Sequence, residues 1–346
     1  MPVAGCGTHT AVIRGRNGAT VAQAEALTNV KWSRILDDTS SASVTVNPTG
    51  DCCGLLGGVR SWAQNLEIYR NGVFVWGGPI TRVSWSLGQV EIFASDVLAW
   101  LDRRVPHDNM SFTNTDLSVI ALALIEDGFR PDDPGHTVEV LDRARVFGSR
   151  EYEKDTGQTG DHLRDLAEAG VDFTAVGSKI LILPETHCSS VGRLSDADFP
   201  EGLVVSEEGG ALATRWVVAG SEESEAIGSY GGTDDYYGLL ERYEEQTSIT
   251  DSVSATEAAR ARVRTTNEPP VFIDTQQVTI SPQAAVEIAY LVPGWCLDIT
   301  TDLTCRTVSQ RLKIVGLTVE EDAGTDDSPG TEQVAVQVAA TGAEAT

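Results

Sequence analysis

The residues that could carry chemistry are few and widely separated, and metal binding is the first possibility to weigh. Cys52, Cys53, His187 and Cys188 could together supply four ligands to a zinc ion. Structural zinc sites use paired ligands at short spacing, however, and no C-x-x-C occurs in the chain. Surface histidines and small buried cysteines explain the same residues more simply. The sequence therefore predicts no metal centre.

The carboxylates suggest two further kinds of site. Asp132-Asp133 and Asp234-Asp235 are acidic pairs, but they lack the alternating oxygen ligands and the closing glutamate of a calcium loop. A glycosidase needs two positioned carboxylates, and no aromatic pattern singles out two of the 51 acidic residues. Phosphate-binding loops, H-E-x-x-H and G-x-S-x-G are absent from the sequence. We predict no catalytic residues and no cofactor, and we do not expect an enzyme.

The charge of the chain bears on its partners. Asp and Glu outnumber Lys and Arg by 51 to 25, which gives a formal net charge of −26. Such a chain repels the phosphates of nucleic acid, so tight binding to DNA or RNA is not expected. The same charge suits a surface that DNA passes without sticking.

Apolar runs and cysteines set the membrane and redox expectations. No apolar run approaches the roughly 20 residues that a membrane-spanning helix needs, and the first residues lack the features of a secretory signal. Reduced thiols are therefore expected. Cys296 and Cys305 flank a predicted hairpin, and whether they pair is left open.

The elements of the first third are mostly strands. Residues 1 to about 30 show only weak periodicity, whereas Ala42-Ser-Val-Thr-Val46 alternates as a strand does. Ser95-Asp96 can cap a short helix over residues 97–103. Together these signals predict a small β-barrel or sandwich closed by a helix.

The most definite hairpin of the chain has Asn71-Gly72 as a two-residue type I′ turn. Its register puts Ile68 opposite Val75 and leaves an aromatic face on the other side. That face needs cover from the closing helix or from a neighbouring subunit. The aromatic face consists of Tyr69, Phe74 and Trp76.

Helical periodicity replaces strand alternation after residue 106. Thr115 can cap a helix over residues 116–127, and a second helix is expected over about residues 161–169. Gly177-Ser178 predicts a hairpin with strands at residues 172–176 and 179–183. Residues 107–200 therefore read as an α+β module.

The last third mixes loops, one helix and strands. Tyr, Gly, Ser and acidic residues over 221–247 indicate a long exposed loop, whose composition suits either a contact surface or a disordered segment. The capping box that starts at Ser254 predicts a helix through Arg264, which Pro269-Pro270 must end. Strands are predicted beyond residue 270, and residues 323–330 are expected to be a hairpin loop.

Four segments of the first third resemble the minor tail proteins of long-tailed actinobacteriophages. They follow that family's order of strand, Y-R-N/D-G, strand, W-x-G-P, two strands, A-x-D, helix and L-x-R-R. The resemblance spans about residues 35–320, and after the first third it is one of architecture only. The four segments are Asp51-Cys-Cys-Gly-Leu-Leu-Gly57, Leu66-Glu-Ile-Tyr-Arg-Asn-Gly72, Val75-Trp-Gly-Gly-Pro-Ile80 and Val90-Glu-Ile-Phe-Ala-Ser-Asp-Val-Leu-Ala-Trp-Leu-Asp-Arg-Arg104.

Such proteins are similar to the baseplate hub proteins of phage tails. The resemblance implies an α+β, mostly β fold with two small tube-forming β-barrel domains and an α/β module. Its implied boundaries are 1–106 for the first barrel, 107–200 with 236–270 for the module, 201–235 with 271–340 for the second barrel, and 341–346 for a flexible tail.

The resemblance also implies a role. A homotrimer would adapt the six-fold tail tube to a three-fold tip and form part of the DNA conduit, with DNA only passing through its lumen. The implied partners are the distal tail protein, the tape measure protein and a central fibre or other minor tail proteins. The protein would be made in the bacterial host cytoplasm and would reside at the tail tip of a siphovirus virion.

The functional residues of such a protein are contact residues, and each has ordinary core packing as its alternative. The predicted contact residues are Tyr69, Phe74, Trp76 and Trp85 in the first barrel, Trp295 in the second, and Tyr230, Tyr236 and Tyr237 for contacts with other subunits or a neighbouring tail protein.

Two other functions remain open at this point. One is a tail-associated cell-wall hydrolase, although the recognisable His/Cys/Asp or Glu sites of such enzymes are not visible. The other is a tail-tip protein that binds a host receptor or carbohydrate, although the repeats typical of fibres are missing.

Overall fold

The computed structural model describes residues 7–24, 27–47, 51–207, 209–220, 226–246, 251–266, 271–274, 278–281, 284–303, 305, 307–325 and 328–340. The α-helices are α1 (Asp51–Leu56), α2 (Leu117–Phe129), α3 (Thr159–Ala167) and α4 (Ser252–Thr266). Short 3₁₀ helices cover Val97–Arg103, Asp196–Asp198, Gly209–Ala211 and Ile288–Tyr290. The strands are β1 (His9–Gly15), β2 (Thr20–Ala24), β3 (Leu27–Ile35), β4 (Ser41–Val46), β5 (Gln64–Arg70), β6 (Val73–Ser86), β7 (Gln89–Ser95), β8 (Met110–Asp116), β9 (Thr137–Val140), β10 (Phe147–Tyr152), β11 (Val171–Val176), β12 (Lys179–Pro184), β13 (Ser190–Ser195), β14 (Val204–Glu207), β15 (Arg215–Ala219), β16 (Ile227–Gly231), β17 (Glu241–Glu245), β18 (Val271–Asp274), β19 (Val278–Thr279), β20 (Cys296–Thr301), β21 (Val308–Thr325) and β22 (Ser328–Ala340).

The chain divides into two compact units. The second unit is the segment Val204–Asp274, and the first contains the described residues on either side of it. These boundaries fall elsewhere than the predicted domain boundaries, because residues 236–246 and α4 share a unit with β15. The predicted division into two tube-forming barrels and a module stays a prediction. The predicted class, α+β and mostly β, is confirmed.

A single large sheet organises the first unit. Among the described residues it has 12 strands, ordered β13-β20-β21-β3-β4-β7-β6-β5-β1-β2, with β22 beside β21 and β19 beside β22. All its pairs are antiparallel except β13 with β20. The strands β1, β2 and β3 lie in the segment where weak periodicity predicted little. Their residues alternate imperfectly, and pairing with β5, β4 and β21 decides their conformation.

The inner face of this sheet is built by period-two alternation of apolar side chains. Trp32 is 0% exposed and Ile80 and Leu66 are equally buried. Arg34 is also inside, 2% exposed, and donates to the carbonyl of Val75 at 2.7 Å. Burial lowers the pKa of Arg34 to about 10, so its charge is retained near neutral pH.

A buried polar seam joins the beginning of the chain to its last two strands. Trp32 Nε1 donates to His9 Nε2 at 3.1 Å, so His9 carries its proton on Nδ1 and donates it to Glu321 at 2.5 Å. Arg70 binds Glu332 through Nε at 2.6 Å and through a second guanidinium nitrogen at 2.7 Å. Burial lowers the pKa of His9 in spite of the neighbouring carboxylate. Through these side chains, the first residue of β1 and the last residue of β5 are bonded to the paired strands β21 and β22.

The helices and the hairpin predicted over residues 107–200 form largely as expected. The hairpin β11–β12 pairs Val176 with Lys179 around Gly177, and β9 adds to it in parallel. Helices α2 and α3 pack their apolar faces into the same core as this hairpin and the 3₁₀ helix Val97–Arg103. Helix α2 begins one residue later than expected. Its cap is Asp116, whose carboxylate accepts from Ser118 N at 2.9 Å, rather than Thr115.

The second unit contains a three-stranded sheet ordered β16-β15-β17, with α4 on one face. Trp216 and Val218 of β15 pack with Ala259 of α4 in its core. The prediction of a continuous loop over 221–247 is therefore wrong, because β16 and β17 pair with β15 on both sides. Helix α4 begins before the predicted capping box, with the carboxylate of Asp251 accepting from Ser254 N at 2.9 Å. The predicted stop at Pro269-Pro270 and the tail 341–346 lie outside the described residues.

The cysteines differ from the expectation of reduced thiols. Cys188 and Cys296 form a disulfide, with their Cα atoms 5.0 Å apart, and Cys305 is free and exposed. The pairing of Cys296 with Cys305, which the sequence left open, therefore does not form. Parallel pairing of β13 with β20 brings Ser190 opposite Cys296, and this places Cys188 within bonding reach.

Candidate interaction surfaces

The Asn71-Gly72 hairpin forms as predicted except for one β-bulge. Tyr69 lies opposite Phe74, but Ile68 pairs with Trp76 instead of Val75. The extra residue in β6 turns Trp76 inward, where it is 2% exposed. The predicted register is wrong beyond the bulge, and Trp76 belongs to the core of its own chain.

The remaining aromatic pair of the hairpin is partly covered by the same chain. The rings of Tyr69 and Phe74 meet edge to face, with centroids 5.8 Å apart. Phe74 is 38% exposed, and its ring lies against Gly177 so closely that a Cβ there would stand 2.8 Å from Cζ. The turn of the β11–β12 hairpin therefore supplies part of the cover that the sequence required.

A pocket opens beside Phe74. Its volume is about 290 Å³, and Glu67 and Asn65 supply polar groups at its rim. The Glu67 carboxylate accepts from Arg14 Nε and from the Tyr69 hydroxyl, both at 2.8 Å. The apolar lining consists of Phe74, Pro79, Val97, Trp100, Pro134 and Val176.

Next to this pocket, arginines stack on two tryptophans that sequence reasoning did not single out. The ring centroids of Trp62 and Trp100 are 5.0 Å apart. Arg103 lies 4.8 Å over Trp62, while Arg16 and Arg104 lie 5.8 Å and 5.9 Å from the Trp100 centroid. We call these five residues the arginine–tryptophan patch.

Two arginines of the patch share one neighbouring carboxylate. Asp132 accepts from Arg16 at 2.7 Å and from Arg104 at 3.3 Å, and these contacts lower the pKa of Asp132. Asp133 accepts instead from the backbone of Gly135 and His136. Asp132 is thus a partner of two arginines, and Asp133 caps a turn.

Trp85 lies at the far end of β6 and is half exposed. Its Nε1 donates to the carbonyl of Leu56 in α1 at 3.1 Å. Leu55 is 53% exposed, Trp85 51%, and Leu87 fully exposed in the turn that follows. Trp85 therefore stays a predicted contact residue, and Leu55 and Leu87 are further exposed apolar side chains in this part of the chain.

The second unit presents a preformed turn, Asp234–Gly238, which we call the tyrosine turn. Asp234 and Gly238 bond each other through both backbone pairs, and the Asp234 carboxylate accepts from Tyr236 N and Tyr237 N at 2.8 and 2.9 Å. These bonds lower the pKa of Asp234. The base of the turn is anchored on Thr214, whose hydroxyl donates to the Gly238 carbonyl at 3.2 Å.

The three predicted tyrosines of this unit differ in exposure. Tyr236 is 86% exposed, and it meets Tyr237 edge to face with centroids 4.8 Å apart. Tyr230 is 41% exposed and lies 5.5 Å from the Arg260 guanidinium of α4. Tyr236 is thus a projecting side chain on a rigid turn.

Trp295 is half-buried beside the disulfide. Its ring meets His187 edge to face, with centroids 5.2 Å apart. Since Cys188 is bonded to Cys296, the zinc site composed of Cys52, Cys53, His187 and Cys188 is excluded. Among the described residues, no group of three or more His, Cys, Asp or Glu side chains could hold a metal ion.

A largely buried charge cluster surrounds Lys313. Lys313 binds the carboxylate of Asp172 and donates to the carbonyl of Glu185 at 2.6 Å. Asp37 accepts from Phe173 N at 2.8 Å, and burial together with nearby Asp172 raises its pKa to about 7. The lysine is occupied by its partners, and the cluster joins β3, β11 and β21. Its role is to hold the module on the sheet.

No protein-family model and no curated protein matches this chain. Solved structures do match its fold. The 43 kDa tail protein of prophage MuSo2 from Shewanella oneidensis has a TM-score of 0.58 at 12% identity, over 96% of this chain and 99% of that one. A tail protein from Neisseria meningitidis MC58 has a TM-score of 0.54 at 10% identity, and the match covers 95% of this chain and 96% of that one. Prophage tail protein gp18 from Listeria monocytogenes EGD-e has a TM-score of 0.54 at 9% sequence identity, and the match covers 94% of each chain.

These similarities show that the chain has the fold of phage tail proteins. In the part of the chain that the structure describes, no helix combines the length and the hydropathy that crossing a membrane requires.

Proposed function

We propose that this chain is a structural component of a phage tail, with the role of the hub that caps the tail tube at its tip. The observation that carries the proposal is the similarity of fold over almost the whole of both chains, 96% of this one and 99% of the prophage tail protein. A match confined to one shared segment would support only a common module, whereas this match extends over almost the full length of both chains.

The finer role rests on the segments that resemble minor tail proteins of long-tailed actinobacteriophages. They fall on α1, the β5–β6 hairpin, β7 and the following 3₁₀ helix, and the strands β7, β6 and β5 are consecutive neighbours in the large sheet. We propose a homotrimer at the tail tip of a siphovirus, with two tube-forming barrels from each copy. The distal tail protein, the tape measure protein and a central fibre are its proposed partners.

The charge fits a conduit through which DNA passes. With a net charge of −26, the chain repels phosphates rather than retaining them. Symmetry adaptation and opening of this conduit are the proposed mechanism, and neither needs a catalytic residue.

The test has two parts. Light scattering of the purified protein across concentrations should give three times the chain mass of 36.9 kDa. Imaging of virions that carry labelled protein should place the label at the tail tip. Label along the tail shaft or on the head would refute the hub, and hydrolysis of purified cell wall by the protein would refute a purely structural role.

A further inference from the structure

Charge is unevenly divided along this acidic chain. Residues 1–106 contain nine basic and eight acidic residues, whereas Val204–Asp274 contains five basic and fourteen acidic, a net charge of −9. The arginine–tryptophan patch is thus a cationic surface on a chain whose second unit is strongly acidic. We infer that the patch and its adjoining pocket bind the tyrosine turn of a second copy of this chain. The inference rests on the proposed function, since it supplies the contact of the proposed trimer.

The patch is built to receive an anionic partner. Arg103 is exposed and held over the face of Trp62, and Arg16 retains half of its side-chain exposure beside Asp132. Guanidinium groups that stack on indoles are fixed in position, so little rotamer entropy is lost when they bind a carboxylate. Arg16 and Arg104 share the carboxylate of Asp132, so the three arginines of the patch keep an excess of positive charge over this one carboxylate.

The adjoining pocket is large enough to receive an aromatic side chain. At about 290 Å³ it lies at the lower limit of small-molecule sites, which begin near roughly 300 Å³. Its lining includes the aromatic rings of Phe74 and Trp100 and the pyrrolidine rings of Pro79 and Pro134. Another aromatic ring packs well on such a surface. The Glu67 carboxylate at its rim offers an acceptor for a hydroxyl.

The tyrosine turn matches these features. Tyr236 is the most exposed aromatic side chain among the described residues, and it stands on a backbone that Asp234 already fixes. Asp235, beside it, is exposed. A rigid aromatic anchor flanked by a carboxylate suits an aromatic pocket that adjoins a cationic surface, which the three arginines of the patch supply. Because the two surfaces differ, the contact is head-to-tail, and such contacts build closed rings when the rotation permits.

A crosslinking experiment tests the contact directly. Tyr236 is replaced by the photoreactive residue p-benzoylphenylalanine, and ¹⁵N-labelled and unlabelled copies are mixed before irradiation. Mass spectrometry should find residue 236 joined to peptides that contain Trp62 or Trp100 of the other isotopic form. Crosslinks within one copy only, or to other peptides, would overturn the inference.

Charge exchange tests the same contact without a probe. Arg103→Glu and Asp235→Arg should each weaken assembly about tenfold in light scattering, and the double variant should restore it, because opposite charges across an interface orient the partners. Tyr236→Ala should weaken assembly about 30-fold, as removal of an aromatic hot spot does. Arg193→Glu, at a side chain 90% exposed in β13, and Tyr290→Ala, at a residue 63% exposed, are the matched controls and should have no effect.

The outcomes separate this inference from the proposed function. A trimer that all variants leave intact would overturn the inference and leave the hub. A wild-type monomer at every concentration would overturn the inference, while virion imaging would still decide the tail location. Binding of inorganic polyphosphate that Arg103→Glu abolishes, with assembly unchanged, would make the patch an anion site and would also overturn it.

Discussion

The buried seam between Arg70 and Glu332 allows a quantitative prediction. Their side chains are 3% and 1% exposed, they bond bidentately, and Glu332 also accepts from Gly7 N at 2.9 Å. Glu332→Met leaves the arginine charge buried without its counter-ion. Breaking a buried pair in this way costs about 3–5 kcal/mol. At about 2–4 °C per kcal/mol for a domain of this size class, Tm should fall by about 6–20 °C.

Two further variants isolate the cause. Arg70→Met combined with Glu332→Met removes both charges, and it should recover at least about 2 kcal/mol of the loss, because an apolar pair replaces a buried ion pair at little cost. Glu320→Met is the matched control on β21. Its partner Lys31 lies 3.1 Å away, but both side chains are about half exposed, so the change should cost at most about 1 kcal/mol.

The assay is thermal and urea unfolding of the purified variants, followed by tryptophan fluorescence. Trp32 is buried beside the seam and reports its opening. A Tm within about 2 °C of wild type for Glu332→Met would refute the reasoning, since it would mean that water already solvates the arginine. A double variant as unstable as the single one would refute the assignment of the loss to unpaired charge.

Three other changes have defined outcomes. Replacing Cys188 and Cys296 by serine should lower unfolding stability by about 2–5 kcal/mol, because the disulfide closes a loop with a sequence separation of 108; reductant should reproduce the loss in wild type only. The pKa of Asp37 is raised from 3.8 to about 7, so its stabilising contribution is complete below about pH 4 and is lost as pH rises to 7. The Tm of Asp37→Asn relative to that of wild type should therefore rise between pH 4.5 and pH 8. A Tm difference that stays constant over this range would contradict the reasoning. Gly78→Ala should prevent stable folding, because its Cβ would overlap the carbonyl oxygen of Ser95, whereas Gly54→Ala, with open space around it, should be tolerated; far-ultraviolet circular dichroism and expression yield decide.

Local signals predicted those elements that form by local chemistry. The Asn71-Gly72 and Gly177-Ser178 turns, the cap at Ser95-Asp96 and the periodicity of α2 each specify their own geometry, and each is present, with Asp96 as the capping residue. The bulge in β6 left no such signal, since it depends on how Trp76 fits the interior of the sheet.

Long-range pairing set the limit of prediction. Strand β3 pairs with β21, and Cys188 meets Cys296 only because β13 lies parallel to β20. The same holds for the candidate site. Individual tyrosines could be proposed from composition, whereas the stacking of Arg16, Arg103 and Arg104 on Trp62 and Trp100 joins segments far apart in the chain.

The seam between the first and last strands has a consequence for synthesis on the ribosome. His9 and Glu321 are 312 residues apart in sequence. At about 5–20 residues per second, the first strand waits roughly 15–60 s after translation for its partner. During that interval β3 has one neighbouring strand missing and the inner face around Trp32 lacks its cover. The unit Val204–Asp274 is complete earlier, because its contacts are sequence-local. Nascent chains should therefore need a holding chaperone for their N-terminal third, and they should become protease-resistant only when β22 leaves the exit tunnel.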